Sequence, residues 1–490
     1  MSFRQILEEY DFIENKDHFW ELLLSERPTY FRVNTIKTDK EQIVKALQRY
    51  KDLEFEPVDF LDNYYVVKKG NISKKPEHLF GYLYIQDISS ALIVHSFSKK
   101  SEVELILDIC ASPGGKTTLL STLFPNSLII ANDIGRINSL IHNIQRIGAL
   151  NVIVTRCDAK LFPLIENKEI DLILADVPCS SESNLDNYQT YNVNKHRKFV
   201  NYITKNQYEI LKRVTEISSE KTEILYSTCT FNPLENEYIV DKIIKEKKAK
   251  AGIINTLPSL ENIKHGLTNY KGIEFDKSLA NSLRFYPQNM GGMFVSKLIP
   301  LSTHKNIKGS TAKIVSIQDQ PTFQNYQLKQ IDPSIAQTYL QHFGIKPEII
   351  NKFIWFVKDK EKISDIYVSS TNLFLTKQKG PMIVEYFGLK ALRYFKPLNT
   401  YKPTSSFLSI LNSHIKKNFV ELKFDIDLLR RFLMREEMDF KCFDVIEIES
   451  SSPFVAVKFN GLVIGCAIVK GNKIVSEIPT SKADFLLNVF

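Results

Sequence analysis

The feature that most constrains this chain is an alternation running from Val103 to Ser227. Five short, almost continuous apolar stretches recur there, at Val103–Ile109, Leu128–Asn132, Val152–Thr155, Leu172–Ala175 and Ile224–Ser227. Helical patterns fill the gaps at Thr117–Leu123, Ile137–Ile147 and Phe199–Ile217. A strand that is apolar on both sides needs cover on both sides, and the intervening helices supply it. The pattern predicts an α/β fold with a parallel, Rossmann-like sheet between two helical layers. Ligands of such sheets bind beyond the carboxyl ends of the strands, where the strand order switches.

The rest of the chain reads around this centre. Its 490 residues predict roughly two to four domains. The expected boundaries are a small α+β entry segment over 1–80, the sheet domain over 81–300, a basic linker and helical region over 301–400, and a C-terminal α+β module over 401–490. In the entry segment Ile6–Phe12 and Phe19–Leu24 read as helices and Phe31–Thr35 as a strand. Asp39 is placed to cap a helix over Lys40–Tyr50. Leu298–Gln330, with Pro300, Gly309 and Pro321, reads as an exit and linker. Pro333–Phe343, Pro347–Val357 and Leu429–Met438 read as helices. Pro453–Ile478 reads as a β-meander turning at Asn460-Gly461 and Gly471-Asn472.

Composition excludes several classes. A chain 43% hydrophobic and 24% charged is ordinary for a soluble globular protein. No apolar run approaches the ~18 residues of a membrane span, and the first residues lack the apolar core of a signal peptide. A cytoplasmic protein without a membrane contact is expected. Six cysteines are too sparse for a disulfide scaffold and none forms a CxxC, so no metal site is expected. The formal charge is +8, and Leu301–Lys402 alone holds 15 basic against 7 acidic residues. That local excess equals the excess of the whole chain, which points to a polyanion such as a nucleic acid.

Every chemical motif falls at the end of one of the five apolar stretches. Asp108-Ile109-Cys110-Ala111-Ser112-Pro113-Gly114-Gly115-Lys116-Thr117 ends the first and opens a helix. Paired glycines let a ligand approach the backbone, and the helix start offers free N–H groups. A P-loop would need glycine where Cys110 stands, so ATP is not the ligand of this turn. Asp133 closes the second stretch, where an acid suits a ribose diol. Asp158 follows the third, where a carboxylate can accept from an adenine amine. Read without a ligand, the same residues are N-caps of strand-to-helix turns; together they favour a nucleoside.

Two further strand ends carry cysteine: Asp176-Val177-Pro178-Cys179-Ser180-Ser181 and Tyr226-Ser227-Thr228-Cys229-Thr230-Phe231. Neighbouring strands would raise both thiols above one cleft. A thiolate adds to C6 of a pyrimidine, which makes C5 nucleophilic toward a methyl electrophile, and the site must help the thiol ionise. Asp176 could hydrogen-bond the N3/N4 edge of cytosine. A second thiol could help the product shed its C5 proton and leave the enzyme. Taken singly, such cysteines are ordinary small core residues.

Together these motifs resemble the RNA cytosine-5 methyltransferase family of the Sun/RsmF type. The family turn is close to D-x-C-A-A-P-G-G-K-T, with Ser112 here in place of an alanine. The family's D-A-P-C-S-G is met by Asp176–Ser181, and its Y-S-T-C-T…E-N-E by Tyr226–Thr230 with Glu235-Asn236-Glu237. Arg284-Phe285-Tyr286-Pro287…Gly292-Met293-Phe294-Val295, Phe31-Arg32-Val33-Asn34-Thr35 and Gly81…Tyr84…Gln86-Asp87…Ser89-Ser90 resemble further family segments. The likeness spans about residues 25–300. It implies S-adenosyl-L-methionine as cofactor, held by the Cys110–Lys116 turn with Asp133, Asp158 and Asp176. It implies RNA as partner, ribosomal first and transfer RNA next, with Cys229 as nucleophile and Cys179 assisting release. DNA cytosine methyltransferases use the Pro-Cys cysteine instead, which leaves Cys179 as the alternative nucleophile. Departures concern loops: Asn138 stands where the family has arginine, Ser181 and Ser183 where it has glycine, Glu220-Lys221 where it has Gly-Gly. Phe443–Ile478 is similar to a PUA-like RNA-binding module. A non-catalytic RNA-binding assembly factor that keeps this fold is the other reading, and retention of both cysteines with Asp176 speaks against it.

Overall fold

The computed structural model describes residues 2–98, 102–166, 168–185, 187–189, 192–301, 314–318, 328–358, 365–376, 382–449 and 452–487. Its centre is a twisted mixed sheet. The labelled elements are β1 (Leu105–Asp108), α1 (Gly115–Leu123), β2 (Leu128–Asp133), α2 (Ile137–Ile147), β3 (Val152–Arg156), β4 (Leu172–Asp176), α3 (Val193–Glu216), β5 (Glu223–Thr228), α4 (Glu237–Lys245) and β6 (Met293–Pro300). The sheet order is β3-β2-β1-β4-β5-β6, parallel through β5. β6 returns antiparallel against β5, pairing Tyr226 with Ser296. The order reverses between β1 and β4, and this switch point opens the crevice that parallel sheets use for ligands. The five apolar stretches are all strands, and β1, β4 and β5 are buried along their whole length or nearly so.

The edges come from elsewhere in the chain. Ile383–Phe387 adds an antiparallel strand to β3, and Leu283–Phe285 pairs β6 on the far side. The sequence places a helix over Pro347–Val357. Instead the helix stops at Ile350 and Ile354–Lys358 is a strand of a five-stranded sheet. Ile354, Trp355, Phe356 and Val357 are β-branched or aromatic, which favours a pleated surface over a helix. The Ile6–Phe12 helix is likewise shorter and earlier, at Arg4–Leu7, and the Leu429–Met438 helix runs Ile426–Leu433. Gly309 and Pro321 of the expected linker, and Lys305, Lys308, Lys313, Lys360, Lys362, Lys377 and Lys379 of the basic stretch, lie outside the described residues.

The first and last parts of the chain share one core. Phe31, Ile43, Leu47 and Leu83 pack with Val420, Leu429, Val455 and Ile464. The Asn460-Gly461 hairpin tip is the anchor: Asn460 Nδ2 donates to the Ala46 carbonyl at 2.8 Å and to Glu77 Oε1 at 2.7 Å. Among the described residues no helix is long and apolar enough to cross a membrane.

Candidate active site

Because β1 to β5 run the same way, their polar ends converge at one edge of the sheet. Asn132, at the end of β2, ties three of them. Its Nδ2 donates to the Ile109 and Cys157 carbonyls, both at 3.0 Å, and its Oδ1 accepts from Thr155 Oγ1 at 3.0 Å. The turn after β1 needs its glycines. Gly114 sits at φ +103°, and a Cβ there would come within 2.9 Å of Leu140 Cδ1 on α2. A Cβ on Gly115 would meet the Tyr84 hydroxyl at 3.2 Å.

A cleft of about 320 Å³ opens over this edge. Cys110, Ala111, Ser112, Pro113, Gly115, Lys116, Asp176 and Cys229 line it, as does Asp108. Its other wall is Tyr84, Gln86, Asp87, Asn184 and Gly291–Met293. Four residues expected at the site lie outside this lining. Gly114 backs onto α2. Asp133 accepts the Ser112 N–H at 3.0 Å and the Gly135 N–H at 2.8 Å, holding the glycine turn. Asp158 accepts the Lys160 N–H at 3.1 Å. Cys179 stands directly behind Cys229.

Asp108 was not among the residues expected at the site. Its Oδ2 accepts from Thr117 Oγ1 at 2.6 Å, while Oδ1 is buried without a protein partner, and so is the hydroxyl of Ser112. Burial is the main cause that lifts the Asp108 carboxyl to about 7. Unsatisfied buried polar atoms on a cleft wall call for a polar ligand. A free carboxylate oxygen, a hydroxyl and a helix start fit the amino-acid end of S-adenosylmethionine.

The two thiols form one unit. Cys179 follows β4, Cys229 follows β5, and their sulfurs are 3.3 Å apart, both free. The hydrogen bond from Cys179 is the largest influence on Cys229 and lowers its thiol to about 7, against the opposing pull of burial; Ser181, with Oγ at 3.5 Å, and Lys116 act in the same lowering direction. The same hydrogen bond, then burial, pushes Cys179 well above the ordinary thiol range. Both shifts run in the direction that favours the thiolate on Cys229, the sulfur that faces the cleft. Beside it, Asp176 Oδ2 accepts from Lys116 Nζ at 2.7 Å and Oδ1 from Ser227 Oγ at 2.7 Å. Burial alone would lower Lys116; Asp176, joined by Cys229 and Asp108, more than offsets it.

Three buried glutamates fasten the two cysteine loops. Glu235 accepts the Ser180 N–H at 2.8 Å and Gln207 Nε2 at 3.0 Å. Glu182 accepts Tyr10 OH at 2.7 Å and the Phe231 N–H at 2.9 Å. Glu237 takes Arg284 in a two-pronged ion pair, with Nε to Oε1 at 2.7 Å. Burial, then Glu182, raises the Glu235 carboxyl to about 7. Its folded value exceeds the unfolded one, so its contribution is present at low pH and fades as pH rises toward 7. The stability difference between wild type and Glu235→Gln, measured by urea titration, should shift against the wild type between about pH 4.5 and 7 and then level; a pH-independent difference contradicts the assignment.

Residues 97–299 match the family described as 16S rRNA methyltransferase RsmB/F, and residues 2–88 match the N-terminal domain of 16S rRNA methyltransferase RsmF. The chain is 30% identical over 309 residues to a human 28S rRNA (cytosine(4447)-C(5))-methyltransferase, covering 59% of this chain and 37% of that protein. It is 25% identical over 464 residues to ribosomal RNA small subunit methyltransferase F of Aeromonas salmonicida, covering 91% of this chain and 89% of that one. The chain spans less than two thirds of the length of the first curated relatives, as the human case shows. Among solved structures, a methyltransferase homologue from Pyrococcus horikoshii is 28% identical with a TM-score of 0.50, over 59% of this chain and 91% of that one. The two matched models are of one kind and together span most of residues 2–299: the chain belongs to the RsmB/F methyltransferase family.

Proposed function

We propose that this protein transfers a methyl group from S-adenosyl-L-methionine to C5 of cytidine in RNA, ribosomal RNA first and transfer RNA next. The observation that carries the reading is the thiol pair, 3.3 Å apart, with the more acidic sulfur facing the cleft. Ordinary transfer to nitrogen or oxygen needs neither thiol. The relatives, named as rRNA and tRNA cytosine-C5 methyltransferases, support RNA and cytosine as the target.

In this reading the Cys229 thiolate adds to C6 and a new S–C bond forms. The C5–C6 π electrons move to C5 and spread onto the cytosine N3 edge. Asp176, held in place by Lys116 and Ser227, accepts from the N4 amine, and the Lys116 ammonium beside it offsets the charge that builds on N3. When bound, the cofactor supplies an electrophilic methyl group to C5. A base then removes the C5 proton, the S–C6 bond breaks, and its electrons return to Cys229. Cys179, the more basic sulfur and in contact with Cys229, is placed to assist that release. The glycine turn and Asp108 hold the cofactor on the cleft wall, Asp133 braces that turn from behind, and Asp158 closes the far end of the cofactor site. The basic Leu301–Lys402 stretch and the C-terminal module, read as PUA-like, hold RNA backbone, which gives affinity more than sequence choice. The target base must leave its stack to reach Cys229.

Two expected results follow. Incubation of unmodified RNA with methyl-labelled cofactor, then nucleoside digestion, should put the label in 5-methylcytidine; cofactor binding without any label in RNA would favour a binding factor. Calorimetry with S-adenosylhomocysteine should show affinity rising with pH and levelling above about 7, as Asp108 ionises to meet the ligand ammonium. Asp108→Asn should abolish that slope, and a slope unchanged in this variant would remove Asp108 from the cofactor site.

A further inference from the structure

The helix α3 buries one face and shows another. Val193, His196, Val200, Ile203 and Gln207 are buried. Through them the helix grips the thiol loop: Gln207 Nε2 donates to the Pro178 carbonyl at 2.9 Å, and His196 Nε2 lies 3.0 Å from Glu182. On the opposite side Lys195, Lys198, Tyr202 and Lys205 succeed one another at spacings of three and four, which is one helical stripe. Phe199 flanks the stripe, its ring 6.5 Å from that of Tyr202. Tyr202 is 63% exposed and Phe199 41%. The three lysines have no ion-pair partner among the described residues, and residues 193–208 contain no Asp or Glu.

An exposed helix face ordinarily mixes both signs of charge and keeps large rings inside. A row of unpaired cations interleaved with exposed rings, over about 15 Å of helix, is the arrangement that holds single-stranded nucleic acid: cations follow the phosphates and rings stack on bases. The stripe also belongs to the helix that grips the Cys179 loop. Asn206, beside it, accepts from Lys160 Nζ at 3.2 Å next to Asp158, and Leu161 there is 60% exposed.

We propose that this face of α3 is a docking track for single-stranded RNA flanking the target cytidine, with Lys195, Lys198 and Lys205 on phosphates and Tyr202 and Phe199 on bases. The inference rests on the RNA reading above. It is tested by the affinity of the full chain for a labelled mixed-sequence single-stranded RNA across a salt series. Lys195→Glu/Lys198→Glu/Lys205→Glu should flatten the logarithmic salt slope by about 2, three phosphate contacts' worth. Tyr202→Ala should weaken binding about fivefold or more at an unchanged slope. Lys221→Glu, before β5 at the other edge of the sheet, is the charge control and should leave both values near wild type. Variants that bind RNA like a tight-binding wild type, with S-adenosylhomocysteine binding intact in all, overturn the track and leave the methyltransferase reading standing. A wild type that binds no RNA overturns both.

Discussion

Replacing Cys229 by alanine should abolish methyl transfer, with a loss on the order of 10⁴-fold or more, the scale of removing a nucleophile. Cys179→Ala should behave differently in two ways. Adduct formation continues because Cys229 remains, but release stalls, so a protein–RNA species persists on a denaturing gel. The thiol that lowers Cys229 to about 7 is also gone, so the pH profile of single-turnover adduct formation should move up toward the ordinary value near ~8.5. In the wild type the rate should rise with pH to about 7 and then level. A Cys229→Ala protein that still transfers methyl groups, with Cys179→Ala inactive and adduct-free, would assign the nucleophile to Cys179. An unshifted profile in Cys179→Ala would show that the second thiol does not tune the first.

The largest expected effect on stability is at Arg284. Its side chain is 2% exposed and its partner Glu237 0%. The guanidinium also donates from Nη1 to the Phe231 carbonyl at 2.9 Å, two residues beyond Cys229, and lies over the Phe12 ring with its carbon 4.6 Å from the centroid. Arg284→Met leaves a buried carboxylate without its counter-charge, which costs about 3–5 kcal/mol. The double change Arg284→Met with Glu237→Met removes both charges and should recover most of that loss. Urea unfolding of the two proteins checks this. A double variant as unstable as the single one would mean that packing around Phe12 and Phe231, rather than the uncompensated charge, sets the cost.

Much of this architecture is written in local pattern. Runs such as Leu172–Ala175 are apolar on both faces and bounded by polar ends, so their strand identity and parallel pairing follow from burial alone. Cys110, Asp176 and Cys229 are legible because each sits at a strand end beside residues with a second chemical reason to be there, and Lys116 because it opens the helix after the paired glycines. Asp108 opens the same motif without a chemical mark of its own; only the fold shows that Oδ1 is left without a partner on the cleft wall. Gln86, Asp87 and Asn184 reach the cleft from segments distant in sequence, and no spacing rule joins them. The strand Ile354–Lys358 is hidden in the sequence because Pro347 begins a helix that ends after a single turn, just before the aromatic run. The partnership of the Asn460 hairpin tip with Ala46 and Glu77 crosses almost the whole chain, and long-range contacts of that kind leave no periodic trace.

The central claim is that Cys229 bonds to C6 of a cytidine in RNA. RNA carrying 5-fluorocytidine tests it most directly, because fluorine at C5 leaves no proton to remove and the enzyme stays attached after methyl transfer. Wild-type protein incubated with this RNA and S-adenosylmethionine, digested and analysed by peptide mass spectrometry, should yield a methylated fluorocytidine on the peptide containing Cys229 and none on the peptide containing Cys179. A modified nucleotide on Cys179, or methyl transfer with neither peptide modified, would contradict the account.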